Sequence, residues 1–103
     1  VAHYLVTAGV KRELLAELER KLSAGEFLGL WPFGKALSFS LENARWKDGD
    51  TAVWEEEDYC SPPLAAERKA VLDRYFERIE VEPVAQGEGW ERIKELVRLF
   101  EKE

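Results

Sequence analysis

Ala36-Leu37-Ser38-Phe39-Ser40-Leu41-Glu42-Asn43-Ala44-Arg45-Trp46 is the stretch on which the fold turns. Leu37, Phe39 and Leu41 alternate with Ser38, Ser40 and Glu42. A period of two puts one set on each face of a strand, so the pattern predicts a strand over 36–46. Lys47-Asp48-Gly49-Asp50 reads as a hairpin turn, with Gly49 free to take the positive φ that tight hairpins need. Residues 51–57 then form the returning strand.

Working toward the N-terminus, Tyr4, Leu5, Val6 and Thr7 make 3–8 a strand rich in β-formers. Leu14, Leu15, Leu18 and Leu22 form one apolar stripe, which predicts a helix over 10–24. Gly25 stands where a helix C-terminal glycine belongs, and Glu17 and Lys21 have favourable i,i+4 spacing on the wet side. Toward the C-terminus, Ser61 suits an N-cap and Pro62 the first helical position. That helix is expected to reach Phe76, with Leu64, Val71, Leu72, Tyr75 and Phe76 inward. A fourth strand follows over 78–85, with Ile79 and Val81 in and Glu80 and Glu82 out. After Gly87-Glu88-Gly89, a last helix runs from Trp90 to about Glu101, with Trp90, Ile93, Leu96, Val97 and Phe100 on one face. The order predicts an α+β chain of the ferredoxin-like βαββαβ type, an antiparallel sheet with an extra C-terminal helix. The first and fourth strands are expected side by side in its middle.

Length and composition bound the function. A chain of 103 residues has room for a single domain, 1–103. Charged residues reach 35%, but they interleave with apolar ones at helix and strand spacing, unlike disordered chains. Cys60 is the lone cysteine, so no internal disulfide forms and the fold does not depend on an oxidising compartment. No apolar run spans a bilayer and no signal pattern opens the chain, which points to a cytoplasmic protein with no membrane partner. A net charge of −6 with scattered Lys and Arg argues against nucleic acid. Methionine is absent, Asn43 and Gln86 are the only side-chain amides, and Glu, Arg and Lys abound, a thermophile's composition.

Three groups of residues could carry chemistry. His3 is the only histidine and has no Cys or His at metal-ligand spacing, so a structural or surface role is expected. Cys60 precedes a helix start, which lowers a thiol pKa, but the acidic run Glu55-Glu56-Glu57-Asp58 raises it, so a structural thiol is expected. The acidic run has cation-binding chemistry. On a strand, however, Glu55 and Glu57 share one face and Glu56 takes the other, so a solvated strand end is preferred and no metal or cofactor is assigned. No catalytic constellation assembles from one histidine; the enzymatic alternative is an acidic cleft using Glu56 or Glu82 with His3.

The connection over 26–35 is rich in Phe27, Leu28, Leu30, Trp31 and Phe33 and broken by Gly29, Pro32 and Gly34. An irregular segment usually runs over the surface, and large aromatics there predict an interface centred on Trp31 and Phe33. The last helix offers Ile93 and Val97 as a second candidate. The leading expectation is a non-enzymatic, self-associating interaction or regulatory module, a homodimer.

One further reading comes from resemblance. Tyr4-Leu5-Val6-Thr7, then Lys11-Arg12, then Leu14-Leu15-Ala16-Glu17-Leu18 and Leu22 resemble the opening of an ACT domain, over about the first quarter of the chain. Such domains share the βαββαβ order, dimerise and bind amino acids beside the first strand–helix loop. The resemblance implies a small-molecule site at Ala8, Gly9, Val10 and Lys11. It departs at Val10, where the family tends to an acidic residue, and at Glu13, where it tends to Gly. In overall character the chain also resembles small proteins of Thermus-type bacteria, which implies no function.

Overall fold

The computed structural model describes residues 1–58 and 60–100. It is an α+β structure built on one antiparallel sheet. Strand β1 (Ala2–Val10) pairs with β3 (Thr51–Asp58) on one side and with β4 (Phe76–Val84) on the other. A two-residue strand, β2 (Arg45–Trp46), lies outside β3, giving the order β2-β3-β1-β4. Strands one and four are neighbours as expected, but β4 is an edge and β1 and β3 hold the middle.

Both faces of the sheet bury apolar side chains. Val6, Ala8 and Val10 of β1 and Ala52 and Trp54 of β3 point into the main core. Helix α1 (Leu15–Ser23) brings Leu18 and Leu22 to it, and helix α2 (Gly34–Glu42) brings Leu37 and Leu41. On the opposite face Leu5 and Val53 pack under Ile93 of helix α5 (Glu88–Ile93).

The stretch that decided the sequence reading is helical where a strand was expected. Gly34, Leu37, Ser38 and Leu41 are buried, an i, i+3, i+4, i+7 face. Phe39 turns outward, its ring edge-on to Trp90 with centroids 6.0 Å apart. Six alternating residues satisfy both periods; the small residues arbitrate. A Cβ on Gly34 would lie 2.3 Å from the carbonyl oxygen of Phe27, so only glycine lets this helix start lie against the 27–28 backbone. Asn43 closes the helix, donating from Nδ2 to the Phe39 carbonyl at 2.8 Å.

Other boundaries shift for local reasons. Val10 remains in β1, and a 3-10 turn (Arg12–Leu14) leads into α1. Gly25, at φ 72°, ends α1 as its position predicts. Among the described residues the positive-φ glycines are Gly25 and Gly87, so Gly49 in the hairpin does not use that freedom. The turn is set by Asp48, whose Oδ1 accepts the N–H groups of Asp50 and Thr51 at 3.1 and 3.0 Å. Arg12 fastens it further, donating to the Gly49 carbonyl and lying 4.6 Å over the Trp46 ring. The next helix begins at Ala65, not Ser61, which makes no cap. Its parts are α3 (Ala65–Glu67), a π turn (Arg68–Leu72) and α4 (Asp73–Tyr75), entered through Leu64 at φ 61°.

The expected final helix is broken after Ile93; Glu101 lies outside the described residues. Arg45 Nη1 donates to the carbonyls of Lys94 and Leu96 at 3.1 and 2.8 Å. Beyond them Trp46 N–H donates to the Val97 carbonyl, and Leu99 N–H to that of Ala44, both at 2.8 Å. Residues 97–99 thus run along the free side of β2. The stripe divides accordingly. Trp90, Ile93 and Leu96 cover Leu5 and Val53, while Leu99 and Phe100 enter the main core. Among the described residues no helix is long and apolar enough to cross a membrane.

Candidate functional site

The acidic run at the end of β3 alternates as a strand must, and each carboxylate meets a different fate. Glu55 faces α5 and accepts the N–H groups of Gly87, Gly89 and Trp90 at 2.8, 2.7 and 3.2 Å. It is a buried side-chain cap for that helix. Glu57 shares its face, with His3 Nε2 3.8 Å from Oε1. Glu56 and Asp58 point to the other face, where both are buried. The expectation of a solvated strand end does not describe them.

Around this end of β3 three ligand-type side chains converge. Asp58, Cys60 and Glu67 each bring one donor atom to within 4.8 Å of the others. Strand β3 supplies Asp58, the connection beyond it supplies Cys60, and α3 supplies Glu67. Cys60 N–H donates to Asp58 Oδ1 at 3.0 Å, and Cys60 Sγ lies 3.7 Å from Glu67 Oε1. Glu56 flanks the group, its Oε1 accepting from Trp54 Nε1 at 3.0 Å.

Each of the three carboxylates is held through one oxygen and left bare at the other. Glu56 Oε2, Asp58 Oδ2 and Glu67 Oε2 are buried with no hydrogen-bond partner among the described residues. Glu56 and Glu67 are fully buried and Asp58 is 3% exposed; Cys60 is the half-exposed member. Burial pushes the Glu56 carboxyl well above the usual range, against the Trp54 hydrogen bond, and Glu67 and Asp58 add repulsion. Burial also raises Glu67, with Asp58 contributing. Buried acids in mutual repulsion oppose folding. Protonation relieves such an arrangement, and so does a cation between the groups. The segment carrying it also has Leu64 in the left-handed region and the π turn, local strain of the kind that collects at functional sites.

Glu67 was not singled out from sequence, although a signal was present. It stands three residues after Leu64 and four before Val71, both buried, so an acid interrupts the apolar stripe of a helix. Asp58 and Cys60 were in view separately, but their approach depends on the turn between β3 and α3.

The other sequence candidates are distributed. Phe33 and Ile93 are interior, at 5% and 4% exposure, whereas Trp31 and Val97 stand out at 89% and 69%. Ala8, Gly9 and Val10 are buried β1 residues, not a loop, and Lys11 Nζ donates to the Asp73 carbonyl at 2.9 Å. His3 and Glu56 lie on opposite faces of the sheet, because their registers differ by one residue across β1 and β3. Glu82 is paired with Arg92 at 2.9 Å, which lowers its pKa. These groups do not converge. On the face shared by Leu5 and Val53, a cleft of about 320 Å³ opens beside α5, rimmed by Lys47, Glu80, Glu82 and Arg92. Its apolar floor is continuous with the smaller core, and its one bidentate pair, Arg92–Glu82, is already satisfied.

Compared with family models, curated proteins and solved structures, the chain matches none.

Proposed function

We propose that this chain is a non-enzymatic regulatory module whose conformation is set by a divalent cation held between β3 and α3. One observation carries the reading: Asp58, Cys60 and Glu67 converge within 4.8 Å, and the two carboxylates keep buried oxygens without partners. Isolated buried charges cost several kcal/mol each, and a cation between them reverses the sign of their interaction. The sheet order β2-β3-β1-β4, with helical segments between β1 and β2 and between β3 and β4, supports reading the fold as a ferredoxin-like βαββαβ arrangement with a reduced second strand.

The test is thermal melting of the chelator-treated chain with Mg²⁺, Ca²⁺, Mn²⁺ or Zn²⁺. At a hundred times its dissociation constant a ligand adds about 2.7 kcal/mol, which raises Tm by roughly 10–20 °C in a chain this size. Glu67→Gln should abolish the response. If no ion shifts the melting curve or binds in calorimetry, the cation reading fails.

A second reading, self-association, is favoured by Trp31 at 89% exposure, with Leu28 and Phe39 at 51% and 60%. Native mass in solution, compared with that of Trp31→Ser, decides it. A monomeric native chain ends that reading.

A further inference from the structure

Resting on the cation reading above, we infer that the site selects a thiophilic ion of the zinc class, bound through the Cys60 thiolate together with Asp58 and Glu67. The donor set is the first argument. Mg²⁺ and Ca²⁺ take six or more oxygens, whereas a thiolate beside carboxylates suits a borderline ion.

Geometry is the second. A sulfur at about 2.3 Å and an oxygen at about 2.1 Å from one tetrahedral ion lie about 3.6 Å apart. Cys60 Sγ and Glu67 Oε1 are 3.7 Å apart. That separation is long for a strong hydrogen bond and matches the edge of a zinc coordination tetrahedron. The third argument is independent of the cluster's internal contacts. Asp58 Oδ2 and Glu67 Oε2 have no partner among the described residues, although Asp58 is 3% and Glu67 0% exposed. Asp58 is also oriented in advance, because its other oxygen is held by the Cys60 N–H.

Three protein ligands leave a tetrahedral ion one corner. The half-exposed Cys60 marks the side from which solvent approaches. The site is therefore of the open, exchangeable kind rather than a closed four-ligand structural centre. Binding forms the metal–sulfur bond as the thiol proton leaves to the buffer, so loading releases a proton.

The experiment is a cobalt(II) titration of the full reduced chain, followed by optical absorption, with zinc(II) as competitor. A near-ultraviolet sulfur-to-cobalt charge-transfer band, intense visible bands of tetrahedral cobalt, and displacement of both by zinc are expected. Cys60→Ser should remove the charge-transfer band and weaken zinc binding by more than about 100-fold, beyond the loss of an outer-shell group. As a check needing no variant, zinc should slow alkylation of Cys60 in the native chain at least about tenfold, since the bound thiolate is the reactive form withheld. Cobalt binding without the charge-transfer band, with alkylation unaffected by zinc, overturns the thiophilic assignment and leaves a hard-cation site standing. Absence of binding by every ion overturns both.

Discussion

Glu55 and Glu56 are adjacent acids with opposite surroundings, and a one-residue step along β3 is the whole reason. Glu55 reaches three backbone N–H groups and is satisfied; Glu56 has one indole donor and keeps a bare oxygen. Glu55→Ala should cost roughly 2–3 kcal/mol, since hydrogen bonds to a charged group are lost and buried donors are left unpaired. Hydrogen exchange should show the Gly87, Gly89 and Trp90 amides opening first; unchanged protection there would mean that Glu55 does not hold α5. Glu17 is the opposite case of a carboxylate stabilised as the anion. Arg74 donates from Nε and Nη2 at 2.7 and 2.8 Å, and the Tyr75 hydroxyl donates at 2.6 Å. Chiefly through Arg74, and then Tyr75, its pKa falls from 4.5 to about 2. The folded state prefers the ionised form, so its contribution is complete above the unfolded value and disappears as pH falls toward about 2. The Tm gap between the native chain and Glu17→Gln should therefore be constant near neutrality and close across that acid window. A gap that persists at the acid end would assign the linkage to another group.

At the scale of elements, the hairpin makes a sharp distinction between two turn residues. Asp48→Ala should destabilise it by about 1 kcal/mol through loss of the turn's side-chain acceptor. Gly49→Val should be nearly neutral, because Gly49 is not in the left-handed region and a Cβ there meets nothing within 4 Å. Comparable losses from both would reinstate a glycine-dependent turn. The same contrast shows what sequence could convey. The α1 stripe was legible because Leu18 and Leu22 repeat at helical spacing and Gly25 terminates it with φ 72°. Residues 36–42 were not, because Leu-Ser-Phe-Ser-Leu alternates as a strand while its buried helical face depends on Gly34 and Ser38, which carry no hydrophobic signal. Phe39, the largest apolar residue of the stretch, is on the wet side. The last helix failed for a different reason: its stripe is real, but Arg45, far away in sequence, takes the carbonyls of Lys94 and Leu96 and diverts the chain. The candidate site was legible only in pieces. The acids of β3 and Cys60 stood out, whereas Glu67 joins them through a turn whose path no periodicity encodes.

For the whole molecule, the two outer strands of the sheet are protected by different means. Strand β4 carries Glu77, Arg78, Glu80, Glu82 and Pro83, charges and an imino acid that discourage a neighbouring chain from pairing. Strand β2 has Arg45 as its one charge, turned to the Lys94 and Leu96 carbonyls, and is covered by residues 97–99, which hydrogen-bond to Ala44 and Trp46. The tail is therefore a shield as well as a source of core residues. A protease that nicks the bend after Ile93 would do more than shorten the chain. It would remove Leu99 and Phe100 from the interior and bare a row of unsatisfied peptide groups, a template for stacking copies into fibrils. The chain cut after Ile93 should bind an amyloid-sensitive dye and sediment as large particles at concentrations where the intact chain stays clear; a clear solution of the cut chain would show that the far strand's charges suffice alone.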